Sequence, residues 1–103
     1  TSNTITPAGN GMHYIRVDIV GVEESSGTNK WAWEFNLIVE NVSGSINILS
    51  EDYNTYHSTE SGYFPTATIL SGTNIVLNIT KTSASPDLTV NWKANAYINT
   101  VTV

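Results

Sequence analysis

The stretch Trp31–Asn41 constrains the fold more than any other part of the chain. Its odd positions carry Trp, Trp, Phe, Leu and Val, whereas its even positions include two glutamates and an asparagine. Successive side chains of a β-strand point to opposite faces, so this alternation predicts a strand with one apolar and one solvated face. An amphipathic helix would need apolar residues at i, i+3, i+4 and i+7, and the stretch does not supply that pattern.

The same alternation recurs along most of the chain, with turn residues between the alternating segments. An immunoglobulin-type domain is not indicated, because its paired cysteines are absent. The sequence predicts one all-β domain over residues 1–103, an antiparallel β-sandwich or jelly roll of about eight strands, with 1–11 as an extended N-terminal arm and loop. The clearest predicted strands are Met12–Val22, Trp31–Asn41, Ser45–Leu49, Tyr63–Leu70, Ile75–Thr80, Asp87–Tyr97 and Ile98–Val103.

Charge and cysteine content exclude several classes of function. The net charge is −5, and the four cationic side chains are scattered along the sequence, so a nucleic-acid or anionic membrane surface is not expected. Without cysteine there is no disulfide, no thiolate nucleophile and no Cys-ligated zinc. No apolar run reaches the ~20 residues of a membrane-spanning helix.

The composition of the surface indicates where the protein works. Charged residues make up 13% of the chain, about half the usual ~25%, and Ser, Thr and Asn take their place. Such surfaces are common in secreted modules, so we expect an extracellular or cell-surface location. The chain starts at Thr1 without a methionine, which indicates a processed or excised chain, and we favour a processed mature protein.

Residues 50–62 lack a clean period and are predicted to form a long loop, and long loops are disproportionately functional. Aromatic rings there would stack on the apolar faces of sugars, and carboxylates and amides would bind their hydroxyl groups. A solvated loop whose tyrosines fold over the edge of the core remains an equal alternative. The candidate ligand-binding residues of this loop are Asp52, Tyr53, Asn54, Tyr56 and His57.

Trp31 and Trp33 lie two residues apart and therefore on one face of the predicted strand. Two rings so spaced would suit successive sugar units, which makes Trp31 a candidate stacking platform. The competing interpretation is that both anchor the core, and it is favoured because the same face continues with apolar residues. Trp31 is nearer the strand end, so of the two it is the one more expected to be partly exposed.

Neither a metal site nor a catalytic site is predicted. The Asp52 region lacks the glycine and the terminal glutamate of an EF-hand, so no cofactor is expected and calcium is the one metal left open. Glu34 and Glu40 share a strand face but lie ~20 Å apart along it, too far for the ~5–9.5 Å of a glycosidase pair. We therefore predict that the protein is not an enzyme.

These observations lead to a noncatalytic extracellular binding module of the lectin or adhesin type, whose partner is a glycan or another cell-surface ligand. The alternative is a self-assembling structural subunit of a surface filament, fimbria, spore coat or virion. Its β-prone, uncharged ends, 1–6 and 100–103, would then exchange strands between copies and form a homo-oligomer. Pairing of both ends within their own sheet is the simpler outcome. A small inhibitor or toxin domain is a third interpretation.

Overall fold

A computed structural model describes residues 3–102, which form two antiparallel β-sheets. One sheet has four strands in the order β4-β3-β2-β7 and the other three in the order β1-β6-β5. The all-β prediction is confirmed, but the described residues form seven strands rather than eight, and a jelly roll is not confirmed. The strands are β1 (Thr4–Ile5), β2 (Gly11–Glu23), β3 (Lys30–Val42), β4 (Ser45–Ser58), β5 (Tyr63–Leu70), β6 (Asn74–Lys81) and β7 (Val90–Thr102).

Two predicted segments differ from the structure: one predicted as a loop continues β4, and two predicted as separate strands form β7, which lowers the strand count by one. β4 runs to Ser58, so the prediction of a loop over 50–62 is wrong for residues 50–58, and only 59–62 form a turn. Side chains 49–58 are exposed on both faces of this edge strand, so burial imposes no alternation on their sequence. The predicted strands Asp87–Tyr97 and Ile98–Val103 are instead parts of one strand, β7, which begins at Val90 and is described as far as Thr102.

The core lies between the inner faces of the two sheets. The odd positions of β3 are all buried and its even positions are not, which confirms the alternation over 31–41. Register pairs β3 with β2 along its length, so the apolar positions of both strands lie on one face. The three-stranded sheet covers this face in a sandwich-like arrangement. The buried hydrophobic residues are Ile15, Val17, Ile19, Trp31, Trp33, Phe35, Leu37, Val39, Ile46, Tyr63 and Ile75.

A two-residue turn joins β3 to β4. Val42 pairs with Ser45, and both central residues have positive φ angles, 53° at Ser43 and 89° at Gly44. This combination is the type I′ turn, whose twist matches that of the strands it joins. Glycine adopts such angles readily, whereas serine carries a steric cost there.

The described part of the N-terminal arm pairs within its own chain. Thr4 and Ile5 lie opposite Val76 and Ile75 of β6. The Asn3 side-chain amide donates a hydrogen bond of 2.7 Å to the Leu77 carbonyl oxygen. Thr1, Ser2 and Val103 of the predicted terminal strands lie outside the described residues.

The two long sides of the sandwich differ. On the β4–β5 side, the Glu51 carboxylate accepts a hydrogen bond of 2.9 Å from the backbone N–H of Ala67 and joins the sheets. On the other side, β7 extends beyond the cover of the three-stranded sheet, and the side chains of Ala94 and Ala96 are exposed although their partners in β2 are buried. The sandwich is closed along one side and open along the other.

Candidate functional site

Strand pairing divides the predicted ligand-binding residues between two faces. Asp52 and Asn54 lie opposite Asn36 and Glu34 of β3 and share their outer, solvated face. Tyr53 lies opposite the buried Phe35 and therefore points to the inner side, where its ring stacks on Phe64 with centroids 6.5 Å apart. Alternation along a strand thus separates residues that a loop would have brought together.

A register shift in β4 places the remaining two residues of the predicted loop. His57 lies opposite Ala32 and shares the outer face with Asp52 and Asn54. Tyr56 is the extra residue of the β-bulge between Ala32 and Trp33, and 68% of its surface is exposed. The bulge keeps His57 on the outer side at the cost of regular pairing along this edge.

Trp31 does not offer a stacking surface. Only 2% of its surface is exposed, and the same holds for Trp33. The favoured interpretation that both anchor the core is confirmed, and the alternative of Trp31 as a stacking platform is wrong. Its ring packs against Tyr63 at 5.1 Å and Trp92 at 5.3 Å. Its indole N–H donates a hydrogen bond of 3.0 Å to the Glu60 carbonyl oxygen. The turn at 59–62 and the start of β5 therefore cover the Trp31 end of β3.

The outer face of the four-stranded sheet instead carries a connected polar network. The Tyr14 hydroxyl donates a hydrogen bond of 2.9 Å to the side-chain oxygen of Asn36. The Asn36 amide in turn donates one of 3.2 Å to the Glu34 carboxylate. Because these residues lie on the two central strands, their backbone positions are fixed by pairing on both sides. We call the following set the outer-face cluster: Tyr14, Arg16, Glu34, Asn36, Asp52, Asn54 and Tyr97.

Arg16 fixes the ring of Tyr97 at one border of this cluster. Its guanidinium carbon lies 4.7 Å from the ring centroid, a cation–π contact between neighbouring strands β2 and β7. Arg16 Nε lies 3.5 Å from a carboxylate oxygen of Asp18 but makes no hydrogen bond. One face of the Tyr97 ring is therefore covered by a cation, and 50% of the residue's surface remains open to solvent.

The cluster combines aromatic and polar side chains on one exposed face. Tyrosine rings, two carboxylates and two amides offer stacking surfaces and hydrogen-bond partners in one row across four strands, ~14 Å wide at a strand spacing of ~4.8 Å. Among residues 3–102, no group of three or more His, Asp or Glu side chains is arranged to hold a metal ion.

Sequence reasoning missed Tyr14, Arg16, Asn36 and Tyr97 as members of a site. Alternation alone places Tyr14 and Arg16 on the solvated face of β2. Their neighbours become known only from the register of β2 against β3 and β7, which pairs Arg16 with both Asn36 and Tyr97. The register cannot be inferred from the residues of a single strand.

A second concave feature follows the open side of the sandwich. It is a groove of about 870 Å³ between β7 and the strands β1 and β6. Its floor is formed by the core residues Val17, Ile19 and Phe35, and Lys93 is the one charged residue among those that line it. The remaining lining residues include Ile5, Leu77, Ile79, Trp92, Ala94 and Ala96.

Comparison with known proteins identifies no relative of this chain. The chain matches no protein-family model, and neither the curated proteins nor the solved structures contain a significant match to it. The part of the chain that the structure describes has no helix that is long and apolar enough to cross a membrane.

Proposed function

We propose that the protein is a noncatalytic binding module of the extracellular or cell-surface kind, and that its outer-face cluster binds a carbohydrate. The observation that carries this proposal is the hydrogen-bonded set Tyr14–Asn36–Glu34 beside the exposed ring of Tyr97. Sugar hydroxyl groups would donate to the carboxylates and exchange hydrogen bonds with the amides. Tyrosine rings would cover the apolar faces of the sugar, as aromatic residues do in many binding sites.

The charge of the cluster indicates the class of glycan. Glu34 and Asp52 contribute two negative charges and Arg16 one positive charge, on a chain whose net charge is −5. Repulsion therefore disfavours sialylated or sulfated sugars, and we expect neutral glycans to bind. Because the surface is a sheet face rather than a deep pocket, single sites should bind weakly and gain from multivalent display.

The test compares two tyrosines of similar exposure on opposite faces. Tyr97 is 50% exposed on the outer face, and Tyr53 is 41% exposed on the inner side. A glycan array screened with the native protein identifies the ligand, and calorimetry then measures its affinity for each variant. We expect Tyr97→Ala to lose ~1–3 kcal/mol of binding free energy, the usual range for an aromatic contact at the centre of a site. Tyr53→Ala should bind as the native protein does.

Asn36→Ala tests the network separately from the ring. This change removes the acceptor of the Tyr14 hydroxyl and the donor to Glu34, so affinity should fall even though both tyrosines remain. Loss of binding in Tyr53→Ala with full binding in Tyr97→Ala would reject the outer-face cluster and return the site to the inner side of β4. No binding to any neutral glycan would reject the carbohydrate proposal.

A second candidate function is that of a structural subunit that exchanges β-strands at its ends. It is favoured by the open groove, because residues 3–5 lie along it. In a polymer of this kind, residues 3–5 would pair with β6 of a neighbouring copy instead of their own. Deletion of residues 1–6 should then abolish the polymers seen by electron microscopy and light scattering. Polymers that persist after the deletion would exclude exchange of this arm.

A further inference from the structure

Among residues 3–102 the two sheets have four edge strands, and three of them carry features that hinder pairing with another chain. β1 has only two residues. The backbone N–H of Ala67 on β5 is already bonded by Glu51. β4 is interrupted by two register shifts and carries the inward-pointing carboxylate of Glu51. Short strands, bulges and inward charges are the usual means by which proteins protect sheet edges.

β7 has none of these protections. It pairs with β2 over all thirteen residues, from Gly11↔Thr102 to Glu23↔Val90, without a register shift. It contains no proline, no glycine and one charged residue, Lys93. Among the described residues no strand pairs with its other edge. This edge presents ~44 Å of regular backbone donors and acceptors, at ~3.4 Å per residue.

Charge indicates a second copy of this chain as the partner. Two molecules of net charge −5 repel each other over most of their surfaces. Residues 90–102 contain no Asp or Glu, so two copies can meet at the β7 edge without opposing carboxylates from this strand. On the inner side of β7, the side chains of Ala94, Ala96 and Ile98 are also exposed, Ile98 at 46%.

We infer that two copies pair antiparallel through β7, centred on Ala96, and form one continuous eight-stranded sheet. This register is the one that pairs all thirteen residues of both strands. It places Ala94 opposite Ile98 of the second copy, a small side chain beside a large one. It places Lys93 opposite Asn99 of the second copy, and the two lysines lie ~20 Å apart along the strands, beyond the ~8–10 Å Debye length.

This pairing does not depend on the carbohydrate proposal, but it would strengthen such binding. The outer faces of both copies become one surface, so two outer-face clusters would bind a branched or surface-displayed glycan together. An interface made mainly of one strand pair is smaller than the ~1,200–2,000 Å² of a stable complex. We therefore expect a dimer whose population depends on concentration.

The first test is the molecular mass by light scattering from roughly 1 μM to 1 mM, for the native protein and two lysine variants. Ala96→Lys puts a charge at the centre of the proposed contact on the inner side. Thr55→Lys puts the same charge on the inner side of the blocked edge strand β4, where Thr55 is exposed. The native protein and Thr55→Lys should dimerise alike, whereas Ala96→Lys should stay monomeric with an unchanged far-UV circular dichroism spectrum.

The second test needs no change of charge. Because the chain has no cysteine, Ala96→Cys provides a single thiol, and a short bismaleimide should link two copies through it. Thr55→Cys should remain unlinked under the same conditions. A native monomer at every concentration, a dimer that survives Ala96→Lys, or linkage equal for both cysteines would overturn the proposal. Polymers larger than a dimer would overturn it in favour of strand exchange.

Discussion

Gly21 of β2 lies directly beneath the ring of Trp92 on β7, and its replacement by alanine should weaken the fold through that ring. A Cβ atom at position 21 would stand 2.1 Å from Cζ3 and 2.3 Å from Cε3 of Trp92. Ordinary van der Waals contact begins at about 3.4 Å, so the ring must move by more than an ångström. It can swing toward the open groove, which Trp92 lines.

The expected loss follows from the contacts that the ring gives up. Trp92 lies 5.3 Å from Trp31 and is stacked on Trp33 at 5.5 Å. Each such pair contributes ~0.5–1.5 kcal/mol. Alanine recovers ~0.5–1 kcal/mol because it loses less backbone entropy than glycine in a strand. The free energy of unfolding should therefore fall by about 1–2 kcal/mol, and Tm by roughly 4–8 °C for each kcal/mol.

A double-mutant cycle in urea isolates the contact with the ring. In a Trp92→Ala background the steric conflict is gone, so Gly21→Ala should be neutral or slightly stabilising there. Trp31 and Trp33 remain as fluorescent reporters of unfolding in all four proteins. An equal loss in both backgrounds would refute the reasoning, because the cost would then arise from the backbone and not from Trp92.

Three further predictions concern other contacts. Ser43→Asn should raise the free energy of unfolding by up to ~1 kcal/mol in thermal or urea unfolding, since asparagine tolerates the positive φ of 53° better than serine; a loss would contradict the type I′ assignment. Glu51→Ala should cost less than ~1 kcal/mol and speed amide hydrogen exchange at Ala67, while Glu51→Gln should preserve protection; equal exchange in both would argue against the side-chain bond. The pKa of Glu23 is held below its ordinary value of 4.5, chiefly by the hydrogen bond from Asn29. Its contribution to stability is therefore present above about pH 4.5 and lost as the pH falls through the lowered pKa. In urea unfolding, the free energy of unfolding of the native protein should exceed that of Glu23→Gln at neutral pH, and the two values should become equal in strong acid.

Alternation in the sequence predicted the buried strands well and the exposed ones poorly. β3 has one wet and one buried face, so its pattern is visible in the residues themselves. β4 beyond Ile48 is exposed on both faces. Because neither face is buried in the core, apolar and polar residues need not alternate there, and the sequence of this strand resembles that of a loop. The predicted strand Tyr63–Leu70 was confirmed to the residue, because turn residues mark both of its ends.

The sequence identified polar and aromatic residues near one another in the chain, but it could not show which of them share a face. Asp52 and Asn54 do lie beside other polar side chains, but those neighbours come from β3 across the sheet. Trp31 is buried because a turn nearly thirty residues later covers it, through the bond from its indole to Glu60. Contacts of this kind depend on register and long-range packing, and neither is encoded in a local pattern.

The pairing of β2 with β7 joins distant parts of the described chain, since Gly11 lies opposite Thr102. Hairpins link β2, β3 and β4 in sequence, so these strands can assemble early, whereas β7 must close a long loop back to β2. Of the seven described strands, β7 is also the last to be synthesised, and until it arrives the edge of β2 has no partner in this sheet. The slow step of folding should therefore be the docking of β7, and aggregation should compete with that step.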